Sequence, residues 1–332
     1  MSQSSSSSWK DHAHNMSAAR DPSPTAPPRV ERDGFYLLPD TPIRWDRDAT
    51  SSIVGSHEQA EILYHKSTAD HCARIALNRP QVLHAFRPTT IRQVQRALQD
   101  ATDDPHVAVI VLTSTSHMND NDRQYTPAFC AGGDQRVRQG PSGGYQDGTE
   151  AGPAKLRVLD LQVQMRRCPK PIVCVVRGYA VGGGHILHMV ADLTLASDNA
   201  VFGQTGPRMG SFDAGYGCTA AVDLMGMKRA KELWFLCRYY SAHEAQQMGM
   251  VNAVFPDDQL EKGVAQWVRR MAGHSPTALA ACKAACQASA DGAVGISLMG
   301  GELTRMFYQS AEGQEGHQAY LEKRAPNFRS KL

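Results

Sequence analysis

The stretch from Gly178 to Gly217, GYAVGGGHILHMVADLTLASDNAVFGQTGPRMGSFDAGYG, constrains the fold more than any other part of this chain. It follows Cys168-Pro169-Lys170-Pro171 and the apolar run Ile172 to Arg177 (IVCVVR). The length of that run and the turn signals around it predict a buried strand. Gly182, Gly183 and Gly184 come next, then HILHMVAD, where Ile186, Leu187, Met189 and Val190 fall at buried-helix spacings. A strand, a glycine hinge and a helix start present free backbone N–H groups at a positive helix end. Such a place stabilises an oxygen that becomes negative. A triple glycine alone equally describes a tight turn with close strand-to-helix packing. The G-x-G-x-x-G dinucleotide spacing is absent.

A second elbow accompanies the first. Phe129-Cys130-Ala131-Gly132-Gly133-Asp134 follows the strand-like run Val107 to Thr113. Two glycine elbows after two buried strands could each give one N–H to a single carbonyl oxygen.

Composition excludes several classes. The chain has 332 residues, 42% hydrophobic and 20% charged, enough for one large domain or two small ones with a real core. A net charge of +2 leaves no footprint for nucleic acid. No apolar run approaches the ~20 residues of a membrane span, and no secretory h-region stands at the start. The eight cysteines show no CxxC or zinc spacing, so no metal site is expected. Cys282 and Cys286 read as two small buried side chains in a helix. His185 and His188 lack an acidic partner at ligand spacing and read as satisfied core histidines.

In order along the chain, residues 1–57 are rich in Ser and Pro and read as mostly disordered, with Phe35 and Trp45 available for docking. Ile62 to His65 and Ala73 to Leu77 read as paired strands. Pro88 opens a helix with Ile91, Val94 and Leu98 on one face, and Leu156, Leu159 and Val163 mark another. The unit strand, strand, helix recurs through residues 58–255. Residues 256–332 are helical, with a capping box upstream at Ser241-x-x-Glu244 and Ser275-Pro276 opening one helix. Two further helical stretches flank Gly313. The final Ser330-Lys331-Leu332 matches a peroxisomal import address read by a receptor; without peroxisomes the expected place is the cytoplasm.

FCAGGD, GYAVGGGH and ADLTLAS together resemble the crotonase (enoyl-CoA hydratase/isomerase) superfamily. GGDQRVR, FGQTG, GSFDAGYG, LWFLCR and EKRAPNF resemble, within it, the 1,4-dihydroxy-2-naphthoyl-CoA synthase (naphthoate synthase) family of menaquinone and phylloquinone biosynthesis. The likeness runs from about residue 58 to the end. It implies an α/β fold, a spiral of stacked ββα turns with a C-terminal helical region that packs subunits into trimers or dimers of trimers.

The resemblance also assigns residues. The amides of Gly133 and Gly183 would hold the thioester oxygen. Hydratases of the superfamily carry two glutamates at positions that here are Ile186 and Gly206, neither able to move a proton. Gly206 in QTG marks the synthases that borrow bicarbonate as base, held by Gln204, Thr205 and Trp234. Asp213 and Ser211 of GSFD would relay protons, and Tyr145 and Tyr308 would bond the oxyanion or carboxyl region, Tyr308 across a subunit boundary. Arg136, Arg138 and Lys323 would contact the coenzyme A phosphates. Each has a plainer alternative: helix packing for Trp234, a turn for Asp213, solvated charge for Arg138. Where relatives often read V-R-N-A, this chain reads Val82-Leu83-His84-Ala85, which removes an arginine. The resemblance thus implies ring closure of 2-succinylbenzoyl-CoA by intramolecular Claisen (Dieckmann-type) condensation. Alternatives are hydrolytic opening of a cyclic 2-ketoacyl-CoA, and a non-catalytic binding protein on the same fold.

Overall fold

The computed structural model describes residues 31–32, 35–36, 38–56, 58–116, 124–137, 157–212 and 215–328. It divides into two units, Met1–Asp40 and Thr41–Leu332. In the first, Glu31–Arg32 (β1) pairs antiparallel with Phe35–Tyr36 (β2).

The second unit is built on two sheets. The larger contains Arg47–Asp48 (β3), Ile62–Ser67 (β4), Cys72–Leu77 (β5), Val109–Ser114 (β6), Ile172–Val176 (β8), Leu193–Ser197 (β10) and Ala253–Phe255 (β13). Its order is β13-β10-β8-β6-β5-β4-β3; β4 runs antiparallel to both neighbours and the other pairs are parallel. β6 and β8 are buried at every position, which is why they read as continuous apolar runs rather than alternating ones. The smaller sheet orders Tyr239–Ser241 (β12), Val201–Gly203 (β11), Tyr179–Val181 (β9) and Ala128–Cys130 (β7).

Successive turns of chain share out their strands between the two sheets. β6 and β7 are followed by Arg157–Arg167 (α3), β8 and β9 by Gly183–Val190 (α4), and β10 and β11 by Gly217–Leu236 (α5). This is the expected α/β spiral of ββα turns. The first strand of each turn lies in the large sheet and the second in the small one.

Local signals explain most helices. Pro88–Asp103 (α2) starts on its proline, where a missing N–H costs nothing, and buries Ile91, Val94 and Leu98. Ala242–Gln247 (α6) has the full capping box of Ser241 and Glu244. Pro276–Asp291 (α8) is capped by Ser275 Oγ, which accepts from Ala278 N–H. Leu260–Ala272 (α7) buries Leu260, Val264 and Val268 on the large sheet.

Several expectations need correction. Within residues 1–57, expected to be mostly disordered, Ile43, Ala49 and Ile53 are buried, Thr50–Ile53 (α1) is helical, and Trp45 stacks beneath Arg74. α3 buries Val158, Leu161, Gln162 and Met165, with Leu159 and Val163 half-buried beside them. The polar Gln162 disguised the apolar stripe; it is buried because its Oε1 accepts Tyr216 N–H at 3.0 Å. Gly313 lies inside Ala311–Leu321 (α10), and the break falls at Gln309 and Ser310 after Ala293–Tyr308 (α9). Cys282 and Cys286 are exposed, on the side of α8 away from buried Ala280. Ser330-Lys331-Leu332 lies outside the described residues. No described helix is long and apolar enough to cross a membrane.

Candidate active site

Both glycine elbows lie at the ends of small-sheet strands, and there they meet backbone to backbone. Gly132 is left-handed (φ +89), and a Cβ there would come 2.8 Å from the Gly183 nitrogen. A Cβ on Gly184 would come 2.1 Å from the Cys130 carbonyl oxygen. Only glycine permits this approach.

The Gly133 amide has a defined direction. Phe86 N–H donates to Gly132 O and Asp134 N–H donates to Phe86 O, each at 2.8 Å, with Phe86 and Gly133 as a parallel bridge. In that pattern the N–H of Gly133 itself points away from Phe86. Gly183 is the first residue of α4, so its N–H has no partner within the helix. The Phe86 ring packs on both glycines, 3.7 Å from a Gly133 Cβ and 2.7 Å from a Gly183 Cβ.

These elbows open on a cavity of about 100 Å³. It is lined by Gly133, Gly183, Gln204, Thr205, Gly206, Ser211 and Trp234, seven of the residues singled out from sequence. Ile186 lines it too, and no described lining residue is Asp or Glu. The loop 205–211 closes on itself through Ser211 N–H to Gly206 O at 2.8 Å. A Cβ on Gly206 would stand 3.3 Å from Ser211 O and 3.4 Å from Trp234 Cζ3, so a small side chain fits there once those neighbours yield by a few tenths of an ångström.

The indole Nε1–H of Trp234 is buried and has no hydrogen-bond partner among the described residues. An orphaned buried donor is costly, and a polar or anionic guest on it removes the cost. Gln204 is 1% exposed and its amide donates weakly to Gly182 O at 3.3 Å. A Cβ on Gly182 would meet Thr205 Oγ1 at 3.4 Å. Three donor-bearing side chains beside a carboxylate-free gap suit a small oxyanion such as bicarbonate. Among the described residues no group of three His, Cys, Asp or Glu could hold a metal ion.

Other candidates fall elsewhere. Arg136 lines a separate cleft of about 370 Å³ with Arg79, Arg87 and Asp134. It bonds Asp134, whose carboxyl is held well below the ordinary range, first by Arg136 and then by Arg79. Tyr308 is exposed and lines a cup with Phe307, Tyr320 and Phe328; within one chain it is not in the cavity. Lys323 follows α10 with φ +53 and lines neither cavity nor cleft. Asp213, Tyr145 and Arg138 lie outside the described residues.

Sequence reasoning missed Phe86 and Gln162 as lining residues. Nothing local marks Phe86; its role comes from the bridge to Gly133. It also took both α4 histidines as satisfied. Thr194 Oγ1–H donates to His188 O, so its oxygen accepts from His188 Nδ1–H, at 3.2 Å. His188 Nε2 is then bare and accepts from His185 Nδ1–H at 2.8 Å. That leaves His185 Nε2 bare, buried and without a partner. Burial holds His185 down to about 3 and His188 well below its ordinary value.

Comparison with known proteins agrees with this fold. The enoyl-CoA hydratase/isomerase family profile matches residues 67–331. An enoyl-CoA hydratase from Bacillus anthracis is 26% identical, with TM-score 0.60, covering 77% of this chain and 95% of that one. An enoyl-CoA hydratase subunit I from Geobacillus kaustophilus is 28% identical, with TM-score 0.60, covering 80% of this chain and 97% of that one. An enoyl-CoA hydratase/isomerase (crotonase) from Legionella pneumophila is 25% identical, with TM-score 0.60, covering 81% and 98%.

Proposed function

The chain belongs to the enoyl-CoA hydratase/isomerase family, and from that premise we propose that it closes a ring: 2-succinylbenzoyl-CoA to 1,4-dihydroxy-2-naphthoyl-CoA and water. One observation carries the reading: Trp234, whose buried Nε1–H has no partner among the described residues, lines with Gly206 a cavity where Ile186 and Gly206 stand at positions a hydratase fills with carboxylates.

The amides of Gly133 and Gly183 bond the thioester oxygen and stabilise it as charge develops, a contribution whose loss costs ~10²–10³ in rate. That makes the carbon next to the thioester acidic. The thioester must sit on the succinyl arm, because an aroyl thioester has no hydrogen on its α-carbon. The enolate carbon therefore attacks the ring-borne carboxyl carbon, forming the new C–C bond. Gln204, Thr205 and Trp234 would hold bicarbonate, which when bound supplies the proton acceptor the side chains lack. Ser211, with Asp213 beside it in sequence, donates to the carboxyl oxygen that leaves as water. Arg136 meets coenzyme A phosphate charge at the neighbouring cleft. The exposed apolar side chains Val294, Ile296, Leu303, Met306 and Phe307 of α9 support a homo-oligomer, which would bring Tyr308 to a neighbouring site.

Mass spectrometry of purified protein with 2-succinylbenzoyl-CoA, with and without added bicarbonate, tests the reading. Product lighter by one water, formed only with bicarbonate, is the expected result. Failure to cyclise, with hydrolysis of a cyclic 2-ketoacyl-CoA by the same preparation, assigns the reverse chemistry instead.

A further inference from the structure

Leu83 and His84 stand consecutively in the left-handed region, with φ +53 and +54. Non-glycine residues enter it at a cost, and two in a row persist only where surrounding bonds demand it. The main chain supplies some of them, His84 N–H donating to Arg79 O at 2.9 Å and Ala85 N–H to Val82 O at 3.0 Å, and the His84 side chain supplies the rest. The residue is 1% exposed. Arg79 N–H donates to its Nδ1 at 3.1 Å, so Nδ1 is bare and Nε2 carries the proton. Nε2–H donates to Ser116 Oγ at 3.1 Å. Ser116 Oγ–H in turn donates to Ala128 O at 2.7 Å and accepts from Ala128 N–H at 3.1 Å. Burial first, then the Arg79 charge, hold the imidazole down to about 4 against the opposing Leu77 carbonyl, which keeps this neutral tautomer in place.

The bonds end on the oxyanion elbow from two directions. Ala128 begins β7, which leads into Gly132 and Gly133. The left-handed turn itself is zipped to the elbow: Ala131 N–H donates to Leu83 O at 3.0 Å, one step before the Phe86 rungs. Arg79 closes the circuit, its guanidinium donating to Ala85 O on one side and to Asp134 Oδ2 at 2.9 Å on the other. His84 lines neither the cavity nor the cleft.

We propose that His84 is a positioning residue: its imidazole, bridging Arg79 and Ser116, holds the 83–84 turn that sets the direction of the Gly133 amide. This rests on the reading of Gly133 as the thioester's donor, and the test separates the two. The probe is benzoyl-CoA labelled with ¹³C at its carbonyl, which cannot enolise. Bound to wild-type protein its carbonyl stretch should move to lower frequency than in water. His84→Leu should bind it with unchanged Kd but lose most of that shift. Its kcat for ring closure should fall about 10²-fold with KM kept, as expected for an aligning group displaced by an ångström. His84→Asn, which keeps an acceptor and tolerates positive φ, should restore most of both. Ser116→Ala, which cuts the far bond, should show the same split more weakly and decides the matter should His84→Leu not fold. A folded His84→Leu with full shift and full kcat overturns the proposal. Wild-type protein that binds benzoyl-CoA with no shift overturns the reading of Gly133, and the proposal with it.

Discussion

The wall of the cavity formed by Gly132–Gly133 and Gly182–Gly184 is main chain packed on main chain, whereas the wall formed by Gln204–Gly206 and Trp234 is side chains around a gap. On the first wall an added Cβ at Gly132 or Gly184 would meet backbone at 2.8 or 2.1 Å; on the second, at Gly206, it would meet its neighbours at 3.3 and 3.4 Å. The first wall is therefore intolerant of change at Gly132 and Gly184, the two positions where backbone meets backbone. The second is less tightly closed, needing its neighbours to yield only a few tenths of an ångström, and leaves an indole donor without a partner among the described residues. A catalyst that needs a rigid donor pair and an exchangeable proton acceptor wants this asymmetry.

The sharpest way to break the comparison is Gly184→Ala. The methyl would run into Cys130 O, and overpacking of that kind costs about 3 kcal/mol, seen as a Tm lower by roughly 6–10 °C. A methyl at Gly206 instead should leave Tm within about 2 °C. Should the two substitutions cost the same, the walls are not built differently.

Gly206→Asp comes next. A general base contributes ~10²–10⁴ in rate, so wild-type protein in bicarbonate-free buffer should lose at least about 10²-fold. The variant carries its own carboxylate into the gap and should lose much less, read as the ratio of kcat with and without bicarbonate. Trp234→Phe keeps the ring and removes the orphan N–H. Losing one hydrogen bond to an anion should raise the half-saturating bicarbonate concentration about tenfold, with KM for the thioester unchanged.

The smallest effect concerns stability rather than rate. His185 and His84 have folded-state values of about 3 and about 4, below the ordinary histidine value. The unfolded chain then binds more protons than the native one below that ordinary value, so stability falls as pH drops from about 6.5. Going from pH 7 to pH 5 should cost roughly 2 kcal/mol per such histidine. His185→Met should lose one share of that slope in urea midpoints taken at the two pH values; an unchanged slope would show that His185 is already charged or exposed.

Much of the scaffold was legible because burial on both faces writes strands as unbroken apolar runs: IVCVV and the β6 run are of this kind. The two elbows were legible as glycines where strands end. The helix α3 was legible from Leu159 and Val163, but its buried face was not, because Gln162 looks solvent-seeking until its bond to Tyr216 N–H is seen. The Arg79–His84–Asp134 circuit was illegible for a different reason. Its members are up to 55 residues apart, and a histidine in a left-handed turn carries no periodic signal. The cavity itself draws lining from β7, α3, α4, the loop after β11 and α5, a convergence that only tertiary packing produces.

One measurement bears most directly on whether two amides and a borrowed anion make the enolate. 3-Benzoylpropionyl-CoA has the thioester arm but no ring carboxyl, so it can lose its α-hydrogen and go no further. Incubated with the protein in D₂O and followed by mass spectrometry, it should take up deuterium at that carbon when bicarbonate is present and nearly none when it is absent. Full-rate deuterium uptake in bicarbonate-free D₂O would contradict the account.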